Sequence, residues 1–333
     1  MSNLRVIWAE IQGFRRLGAR SFFDFRNPRG DASDQLVIAG TNGGGKTTFL
    51  EALLFGLDSE ALIVRDLRKG RRSAHERGRF PAGARVSLCV QFDGQYLRTD
   101  RTNGRHLWKH VTAPFDEPGN PFEASFGPGS SLVEYFSSWR SPALVGPVWP
   151  ATAGRRAADT EVNRLWTIKQ RLVERRVRRS YVGDASPDPW LATINDAWST
   201  FHSSDGTRLA DLPVDPADED SGSDLYVMEA DGSRRCSIDH ASSGEIELVC
   251  MAGTLTIKEF RGVLLIDEPE LHLHPEWQAQ ILPAIRKLAP GAQIVATSHA
   301  AAPWDRAYNY QRYFLAPEGD PRRSDLAPPP ERG

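Results

Sequence analysis

Short runs in which apolar and polar positions alternate recur in both halves of the chain, and they predict paired strands. Two of the pairs enclose an Asp-Gly dipeptide, at 93–94 and at 231–232, which favours the tight turn of a hairpin. The predicted pairs are 4–11 with 20–26, 86–92 with 95–98, and 225–228 with 236–238. The pattern therefore predicts an antiparallel β component.

Other apolar runs show no alternation and are typical of strands buried on both faces. They are Leu36-Val37-Ile38-Ala39, Val263-Leu264-Leu265-Ile266 and the segment 293–296. A helical pattern follows the first run at 48–55, another separates the last two at 276–288, and a further helix is predicted at 246–257. Strands that alternate with helices indicate an α/β fold around a mixed central sheet.

The middle of the chain has a helical pattern from about 155 to 201. Ser186-Pro187-Asp188-Pro189 interrupts it, so a short helical hairpin is predicted. The acidic segment after it resembles a solvated linker, and the Pro-, Arg- and Asp-rich end of the chain is typical of disorder. The predicted organisation is 1–150 as a first lobe, 151–204 as a helical insertion, 205–224 as the linker, 225–315 as a second lobe and 316–333 as a disordered tail.

Composition limits the class of protein. Hydrophobic residues make up 40% of the chain, which supports a packed core, and the net charge of -2 gives no general sign of nucleic-acid binding. Basic clusters at 65–85 and 164–179 are local exceptions, and each is either a phosphate-contacting surface or a solvated or partner-facing one. The three cysteines are scattered, the N-terminus is unlike a signal peptide, and no apolar run approaches the ~18 residues of a membrane span. We therefore expect a cytoplasmic protein without membrane insertion.

The strongest chemical signal is Gly40-Thr41-Asn42-Gly43-Gly44-Gly45-Lys46-Thr47, which completes G-x-x-x-x-G-K-[ST] between a predicted strand and a predicted helix. In such a phosphate-binding loop, backbone N–H groups turn toward one anion and the helix N-terminus faces the same phosphates. Lys46 is predicted to reach the β and γ phosphates of a bound nucleotide, and Thr47 is predicted to ligate Mg²⁺. The predicted nucleotide contacts are Asn42, Gly43, Gly44, Gly45, Lys46, Thr47 and Thr48.

Two carboxylates, Asp267 and Glu268, close the apolar run 263–266. In an enzyme with a phosphate loop, the first holds Mg²⁺, directly or through water, and the second orients or deprotonates the attacking water. A pair of acids at a strand end is common in isolation, so it is the complete phosphate loop that favours the hydrolytic role.

With these residues in place, the chain resembles the ABC-type ATPases, and within them the SMC-like and RecF-like branch. Four elements carry the resemblance in order: the loop at 40–47, Ala241-Ser242-Ser243-Gly244-Glu245, Leu265-Ile266-Asp267-Glu268-Pro269, and Ala296-Thr297-Ser298-His299. The resemblance implies a P-loop NTPase fold of ABC type with an antiparallel β subdomain and the short helical insertion. It also implies that His299, the switch histidine, contacts the γ-phosphate and the attacking water.

The resemblance further implies a head-to-tail homodimer that encloses ATP between one subunit's phosphate loop and the other subunit's signature segment. Ser242 and Gly244 would then act in trans, at a helix N-terminus suited to an anion. Ala241 and Ser243 depart from the usual L-S-G-G, and an ordinary helix cap is the alternative role of Ser242.

Two assignments stay open on the sequence. The magnesium-sensing glutamine of the family has no firm counterpart, although Gln91, Gln95 and the loop 137–140 are candidates for that position. Arg15 and Arg16 either touch the nucleotide, as in related heads, or are solvated surface.

The leading hypothesis is a stand-alone SMC-like ATPase, similar to the ATPase part of OLD-type proteins, that acts as sensor or motor in anti-phage defence or DNA repair. Relatives with their own nuclease carry an acidic Toprim-like segment after the switch histidine, whereas residues 300–333 are mostly Pro-rich and polar. We therefore expect a separately encoded effector, such as a nuclease. The alternatives are a nucleotide-binding subunit of a membrane transporter, which the divergent signature disfavours, and an ATP-gated scaffold with slow turnover.

Overall fold

The contacts in the computed structural model divide the chain into two compact units. The first unit comprises Met1–Trp139, Phe260–Glu270 and Pro290–Gly333, and the second comprises Arg140–Glu259 and Leu271–Ala289. The described residues are 3–65, 80–117, 121–122, 132–138, 140, 144–149, 163–184, 186–218, 221–257 and 259–328. The segment expected to form a second lobe is therefore shared between the two units.

Strands and helices follow one another much as the sequence predicts. In chain order they are β1 (Leu4–Gln12), β2 (Ser21–Asp24), β3 (Gln35–Gly40), α1 (Lys46–Gly56), α2 (Ala61–Arg65), β4 (Arg85–Phe92), β5 (Gln95–Thr102), β6 (Arg105–Val111), β7 (Pro121–Phe122), β8 (Val133–Phe136), α3 (Arg164–Tyr181), α4 (Pro189–Phe201), β9 (Arg208–Pro213), β10 (Ser223–Met228), β11 (Arg234–Ser237), α5 (Ser243–Ile257), β12 (Val263–Asp267), α6 (Pro275–Gln278), α7 (Ile281–Leu288), β13 (Gln293–Thr297), α8 (Ala301–Asp305) and β14 (Arg312–Leu315). The helix predicted over 276–288 is two helices, because Pro283 lacks the N–H that would continue one helix through residue 279. Within the described ranges, no helix is both long and apolar enough to cross a bilayer.

A parallel sheet with the strand order β14-β3-β13-β12-β8 forms the centre of the first unit. β3, β12 and β13 are almost entirely buried, in agreement with their unbroken apolar sequences. Neighbouring strands of this sheet all run parallel, so their carboxyl ends lie at the same edge. This edge carries Gly40, Asp267 and Thr297, the last residues of β3, β12 and β13. The phosphate loop after β3 therefore lies close to the ends of β12 and β13, where the predicted catalytic residues follow.

An antiparallel sheet with the order β2-β1-β4-β5-β6-β7 belongs to the same unit. The predicted hairpin of β4 and β5 is confirmed: Phe92 pairs with Gln95, while Asp93 and Gly94 adopt the positive φ angles, 47° and 84°, that a type I′ turn requires. α1 contacts β4 and β5 as well as β12 and β13, and nearly all its residues are buried. The helix that begins at Lys46 is therefore fixed by both sheets.

The second unit contains the predicted helical hairpin, α3 and α4, packed on α5. Gly253 on α5 permits the close approach, because a Cβ atom there would lie 2.5 Å from Ile168 Cδ1 on α3. Lys169 of α3 is buried and lies 2.5 Å from Asp224, and its ammonium also contacts Asp239. This buried ion cluster ties α3 to β10 and to the segment before α5.

Two segments are more ordered than the sequence predicts. The segment expected to be an acidic linker, 205–224, contains β9, which pairs with β10 in a sheet with the order β11-β10-β9. The tail expected to be disordered belongs to the first unit, and its Leu326 side chain is buried in the core of that unit. The Leu326 carbonyl also accepts a hydrogen bond of 2.7 Å from Phe22 N. Strand pairing therefore orders the acidic segment, and the contacts of Leu326 order the tail, although the composition of each favours a solvated or disordered chain.

Asp211 of β9 provides a test of stability in the second unit. Its carboxyl is 8% exposed and lies 3.5 Å from Arg176, and burial raises its pKa to about 6. Because this folded-state pKa lies above the unfolded value of ~3.9, protonation favours folding at low pH, and the contribution is lost as the pH rises through about 6. The amide of Asp211→Asn does not ionise. We therefore expect the unfolding free energy of this variant, relative to that of the parent, to increase by about 1–3 kcal/mol as the pH rises from 4 to 7. Urea unfolding of both proteins measures this, and a pH-independent difference would contradict it.

Candidate functional site

The loop between β3 and α1 has the backbone that a phosphate-binding loop needs. Gly43 and Gly45 adopt φ angles of 73° and 104°, in the left-handed region that a side chain disfavours. A Cβ atom on Gly44 would lie 2.5 Å from the Leu315 carbonyl oxygen, which also accepts a hydrogen bond of 3.1 Å from Thr41 N. The end of β14 therefore holds the loop in place, a contact that the sequence does not reveal.

Lys46 begins α1 and is 5% exposed. Its ammonium donates to the carbonyls of Gly40 and Thr41 at 3.2 and 3.1 Å, so the side chain lies along the loop. Burial lowers the pKa of Lys46, and the nearby carboxylates of Glu268 and Asp267 oppose that shift. A cation held in this position can compensate the charge of a bound phosphate.

Asp267 joins three elements of the first unit. It ends β12, is fully buried, and accepts a hydrogen bond of 2.8 Å at Oδ2 from the Thr47 hydroxyl of α1. Its Oδ1 accepts a hydrogen bond of 2.5 Å from the Thr297 hydroxyl at the end of β13. A hydroxyl and a carboxylate in contact are hard oxygen ligands of the kind that Mg²⁺ prefers, so these residues fit the predicted metal.

Glu268 and His299 face each other at the ends of β12 and β13. His299 Nε2 lies 3.0 Å from Glu268 Oε1, and the two side chains are 38% and 24% exposed. Glu268 has a φ of 52°, and its N–H donates to the carbonyl and to the hydroxyl of Thr297, both at 3.1 Å. Burial raises the pKa of Glu268, the charge of Asp267 adds to the shift, and His299 opposes it. A partly exposed carboxylate with a raised pKa is suited to accept a proton from water.

A pocket of about 310 Å³ opens between the loop and this pair. Its lining residues are Arg16, Asn42, Gly43, Gly45, Lys46, Thr47, Thr48, Glu268 and His299. The structure thus places most of the predicted nucleotide contacts and both predicted catalytic residues around one space. Asp267 is fully buried and is not itself a lining residue, but it accepts a hydrogen bond from the lining residue Thr47.

The predicted signature residues lie in the second unit, at the start of α5. Ser242 and Glu245 form a capping box, in which Glu245 N donates to Ser242 Oγ at 3.3 Å and Ser242 N donates to Glu245 Oε2 at 2.7 Å. Ser242 is exposed, whereas Gly244 is buried, and a Cβ atom on it would lie 2.8 Å from the His272 carbonyl oxygen. The helix cap, which the sequence offers as the alternative role of Ser242, is therefore present.

The assignments that the sequence leaves open differ in their surroundings. The Arg15 guanidinium is paired with Glu51 of α1, whereas Arg16 lines the pocket. Gln91 and Gln95 lie on β4 and β5, and neither is among the described residues that line the pocket. The sensing glutamine therefore gains no support from these two positions.

Some of the remaining candidates fall outside the described residues. These are Trp139 of the loop 137–140 and, in the cluster 65–85, Arg68, Lys69, Arg71, Arg72, Arg77 and Arg79. Three arginines of α3 form ion pairs with aspartates: Arg175 with Asp188, Arg176 with Asp211, and Arg179 with Asp184. Arg171 and Arg178 on the same helix are exposed, so they are the described members of the clusters best placed to meet a partner.

Glu270 is a residue of the site that the sequence patterns do not single out. This buried residue lies two positions after Glu268, and its Oε1 accepts hydrogen bonds from the turn after β13 that carries His299. The signal available in the sequence is the third acid of Asp267-Glu268-Pro269-Glu270.

Comparison with protein families matches residues 157–301 to the family described as "AAA domain, putative AbiEii toxin, Type IV TA system". The matched segment contains the helical hairpin, the signature segment, Asp267, Glu268 and His299. The phosphate loop lies before it.

Two curated proteins share short segments with the chain. The Septu protein PtuA of Bacillus thuringiensis is 46% identical over 48 residues, which are 14% of this chain and 12% of that protein. The "Retron Ec83 probable ATPase" of Escherichia coli is 46% identical over 39 residues, which are 12% of this chain and 7% of that protein. The similarity thus spans a small part of each relative's length.

Two solved structures share the fold over most of the chain. The SmcHead bound to the C-winged helix domain of ScpA has a TM-score of 0.51 and 16% identity, and the match covers 90% of this chain and 91% of that one. The SMC head domain from Thermotoga maritima has a TM-score of 0.50 and 14% identity, with 93% and 94% covered. The fold is therefore an α/β fold of the SMC-head type with parallel and antiparallel sheets. Together with the sequence matches, this confirms the predicted resemblance to SMC-like ABC-type ATPases of defence systems.

The pocket predicts different effects for two neighbouring arginines. Arg16→Ala removes a cation from the pocket lining, so we expect it to weaken binding of a fluorescent ATP analogue by about 3–10-fold. Arg15→Ala removes the partner of the buried Glu51, so we expect it to lower the melting temperature and to change nucleotide affinity less. Titration and thermal melting of both variants measure the two effects. Equal losses of affinity in both variants would contradict this assignment.

Proposed function

We propose that the chain is an Mg²⁺-dependent ABC-type ATPase that uses the pocket of the first unit. One observation carries the proposal: the phosphate loop, the Thr47–Asp267 pair and the Glu268–His299 pair meet around a single space. Each of these groups also occurs in other proteins, but their combination matches the needs of phosphoryl transfer to water.

The phosphate loop and the first residues of α1 bind the triphosphate. Backbone N–H groups of the loop and the Lys46 ammonium bind phosphate oxygens, with the N-terminal end of α1 adding its favourable partial charge. Mg²⁺ would be held by Thr47 and Asp267, directly or through water, and would offset charge on the phosphates. The Thr297 hydroxyl, 2.5 Å from Asp267, fixes the orientation of that carboxylate.

Hydrolysis falls to Glu268 and His299. A water attacks the γ-phosphorus, its proton passes to the Glu268 carboxylate, and the bond to the β–γ bridging oxygen breaks with its electron pair leaving on ADP. The raised pKa of Glu268 makes it a better proton acceptor than an ordinary carboxylate. His299 Nε2, 3.0 Å from Glu268 Oε1, orients that carboxylate beside the γ-phosphate.

We also propose that two chains enclose ATP head to tail. The exposed Ser242 at the tip of α5 supports this, because its hydroxyl oxygen accepts from Glu245 N while its proton can be donated to the γ-phosphate of a second subunit at this helix N-terminus. The Glu245 carboxylate now accepts from Ser242 N, so that N–H must exchange its partner when a phosphate binds.

The relatives support a setting in anti-phage defence, with DNA repair as the other candidate. Because a Septu protein and a retron protein share segments with the chain, we propose that it acts as the sensor or motor of a system with a separate effector, such as a nuclease. Arg171 and Arg178 of α3 are the residues through which nucleic acid would contact the chain.

Replacement of Glu268 by Gln tests the proposal. The amide keeps the shape of the side chain but cannot take the proton, so we expect steady-state phosphate release to fall by at least about 100-fold. ATP binding should persist, and the variant should accumulate as an ATP-bound dimer, which size exclusion with light scattering detects. Glu276→Gln, at a side chain that is 85% exposed, is the matched control and should behave like the parent.

The other functions predict different results. A scaffold with slow turnover would assemble on ATP while parent and Glu268→Gln differ little in phosphate release. A transporter subunit would require a membrane partner for its full ATPase rate. A parent protein that neither binds nor hydrolyses ATP would contradict the proposal altogether.

A further inference from the structure

Glu270 is a buried acid to which the proposed reaction gives no role. It lies three residues beyond the end of β12 and is 7% exposed. Burying a carboxylate is costly unless hydrogen bonds compensate the lost hydration, so the partners of this side chain indicate what it does.

Within the described residues, all the hydrogen-bond donors to Glu270 lie in one turn, residues 298–300, which we name the switch turn. Oε1 of Glu270 accepts hydrogen bonds from Ser298 Oγ at 2.7 Å, from His299 N at 2.7 Å and from Ala300 N at 3.1 Å. Oε2 has no hydrogen-bond partner within the part of the chain that the structure describes. The hydrogen bonds of this carboxylate are therefore directed at the switch turn.

The segment 268–270 contacts the switch turn through both the backbone and the side chain of His299. Glu270 binds the backbone N–H of His299, while Glu268 Oε1 lies 3.0 Å from the ring of the same histidine. Glu268 N also donates to the carbonyl of Thr297, the last residue of β13, which directly precedes the switch turn. Ser298 N also donates to Ile38 O of β3 at 2.9 Å, so the turn is tied to the strand that leads into the phosphate loop.

This arrangement restricts where the imidazole can lie. A histidine on an unsupported turn could move with its backbone by an ångström or more, and displacements of that size can cost about 100-fold in rate. Three hydrogen bonds to Glu270 Oε1 restrain the backbone on both sides of the His299 Cα atom. They therefore limit the positions that the imidazole on this Cα can reach.

We propose that Glu270 is a positioning residue, which holds the switch turn so that the His299 imidazole meets Glu268 at the pocket. Glu270 does not line the pocket, and it acts through His299. Its kinetic consequence rests on the proposed function, whereas its effect on the ring of His299 does not require that the chain hydrolyse ATP.

Kinetics of five variants, including His299→Ala alone and combined with Glu270→Ala, test the catalytic part. We expect Glu270→Ala to lower kcat by at least about tenfold and to change KM for ATP by less than about threefold, because nucleotide binding relies on the loop. Glu270→Gln keeps an acceptor oxygen and should recover most of that loss. In a His299→Ala background, Glu270→Ala should lower kcat by less than about twofold, since the group through which it acts is already gone. Glu276→Ala, at an exposed glutamate, is the control for removing a carboxylate.

A merely structural role predicts another pattern. It would lower the melting temperature and reduce kcat by the same factor in the parent and in the His299→Ala background. Such additivity, or an Ala variant with the parent's kcat, would overturn the proposal.

Nuclear magnetic resonance of ¹⁵N-histidine-labelled protein tests the geometric part without turnover. The His299 ring signal is assigned by its loss in His299→Ala. We expect Glu268→Gln to shift this signal in the parent, because the ring contacts that side chain, and to leave it nearly unmoved in Glu270→Ala. A shift of equal size in both backgrounds would overturn the inference. A parent without ATPase activity that still shows the Glu270-dependent shift would instead refute the proposed function and leave the geometric part of the inference supported.

Discussion

The buried carboxylate of Asp267 is the group on which the arrangement of the site depends. It lies at the end of β12 and accepts hydrogen bonds from Thr47 at the start of α1 and from Thr297 at the end of β13. A fully buried charge without partners would be strongly destabilising, so these two hydroxyls must approach it. That requirement brings the phosphate loop, Glu268 and His299 to one edge of the parallel sheet.

Much of this site could be predicted because its residues lie at the ends of strands with local signals. The apolar run before Gly40 and the run before Asp267 predict buried strands, and parallel strands present their carboxyl ends together. What the sequence does not show depends on contacts between distant segments. Leu315 holds the loop only because β14 pairs with β3, and Glu270 has its role only because the turn after β13 folds onto it.

In the second unit, too, local sequence patterns predict the helices and their caps, whereas contacts between residues far apart in sequence are not predicted. The helical hairpin follows from periodicity, and the capping box follows from Ser242 and Glu245 at helix spacing. The acidic segment before β10 has the composition of a solvated linker, yet Asp224 is buried against Lys169 of α3, and β9 pairs with β10. Partners that are far apart in sequence therefore decide whether acidic residues are solvated or buried.

Sharing of the nucleotide between two chains is the central claim of this account, and mixing two inactive variants tests it most directly. Lys46→Ala disables the loop, and Ser242→Arg blocks the helix tip, so each variant alone should release little phosphate. In an equal mixture, half of the dimers are mixed and each mixed dimer has one intact composite site, so phosphate release should recover to about a quarter of the parent rate. A mixture that stays at the sum of the two separate rates would contradict the claim, because it would mean that each chain binds and hydrolyses ATP without its partner.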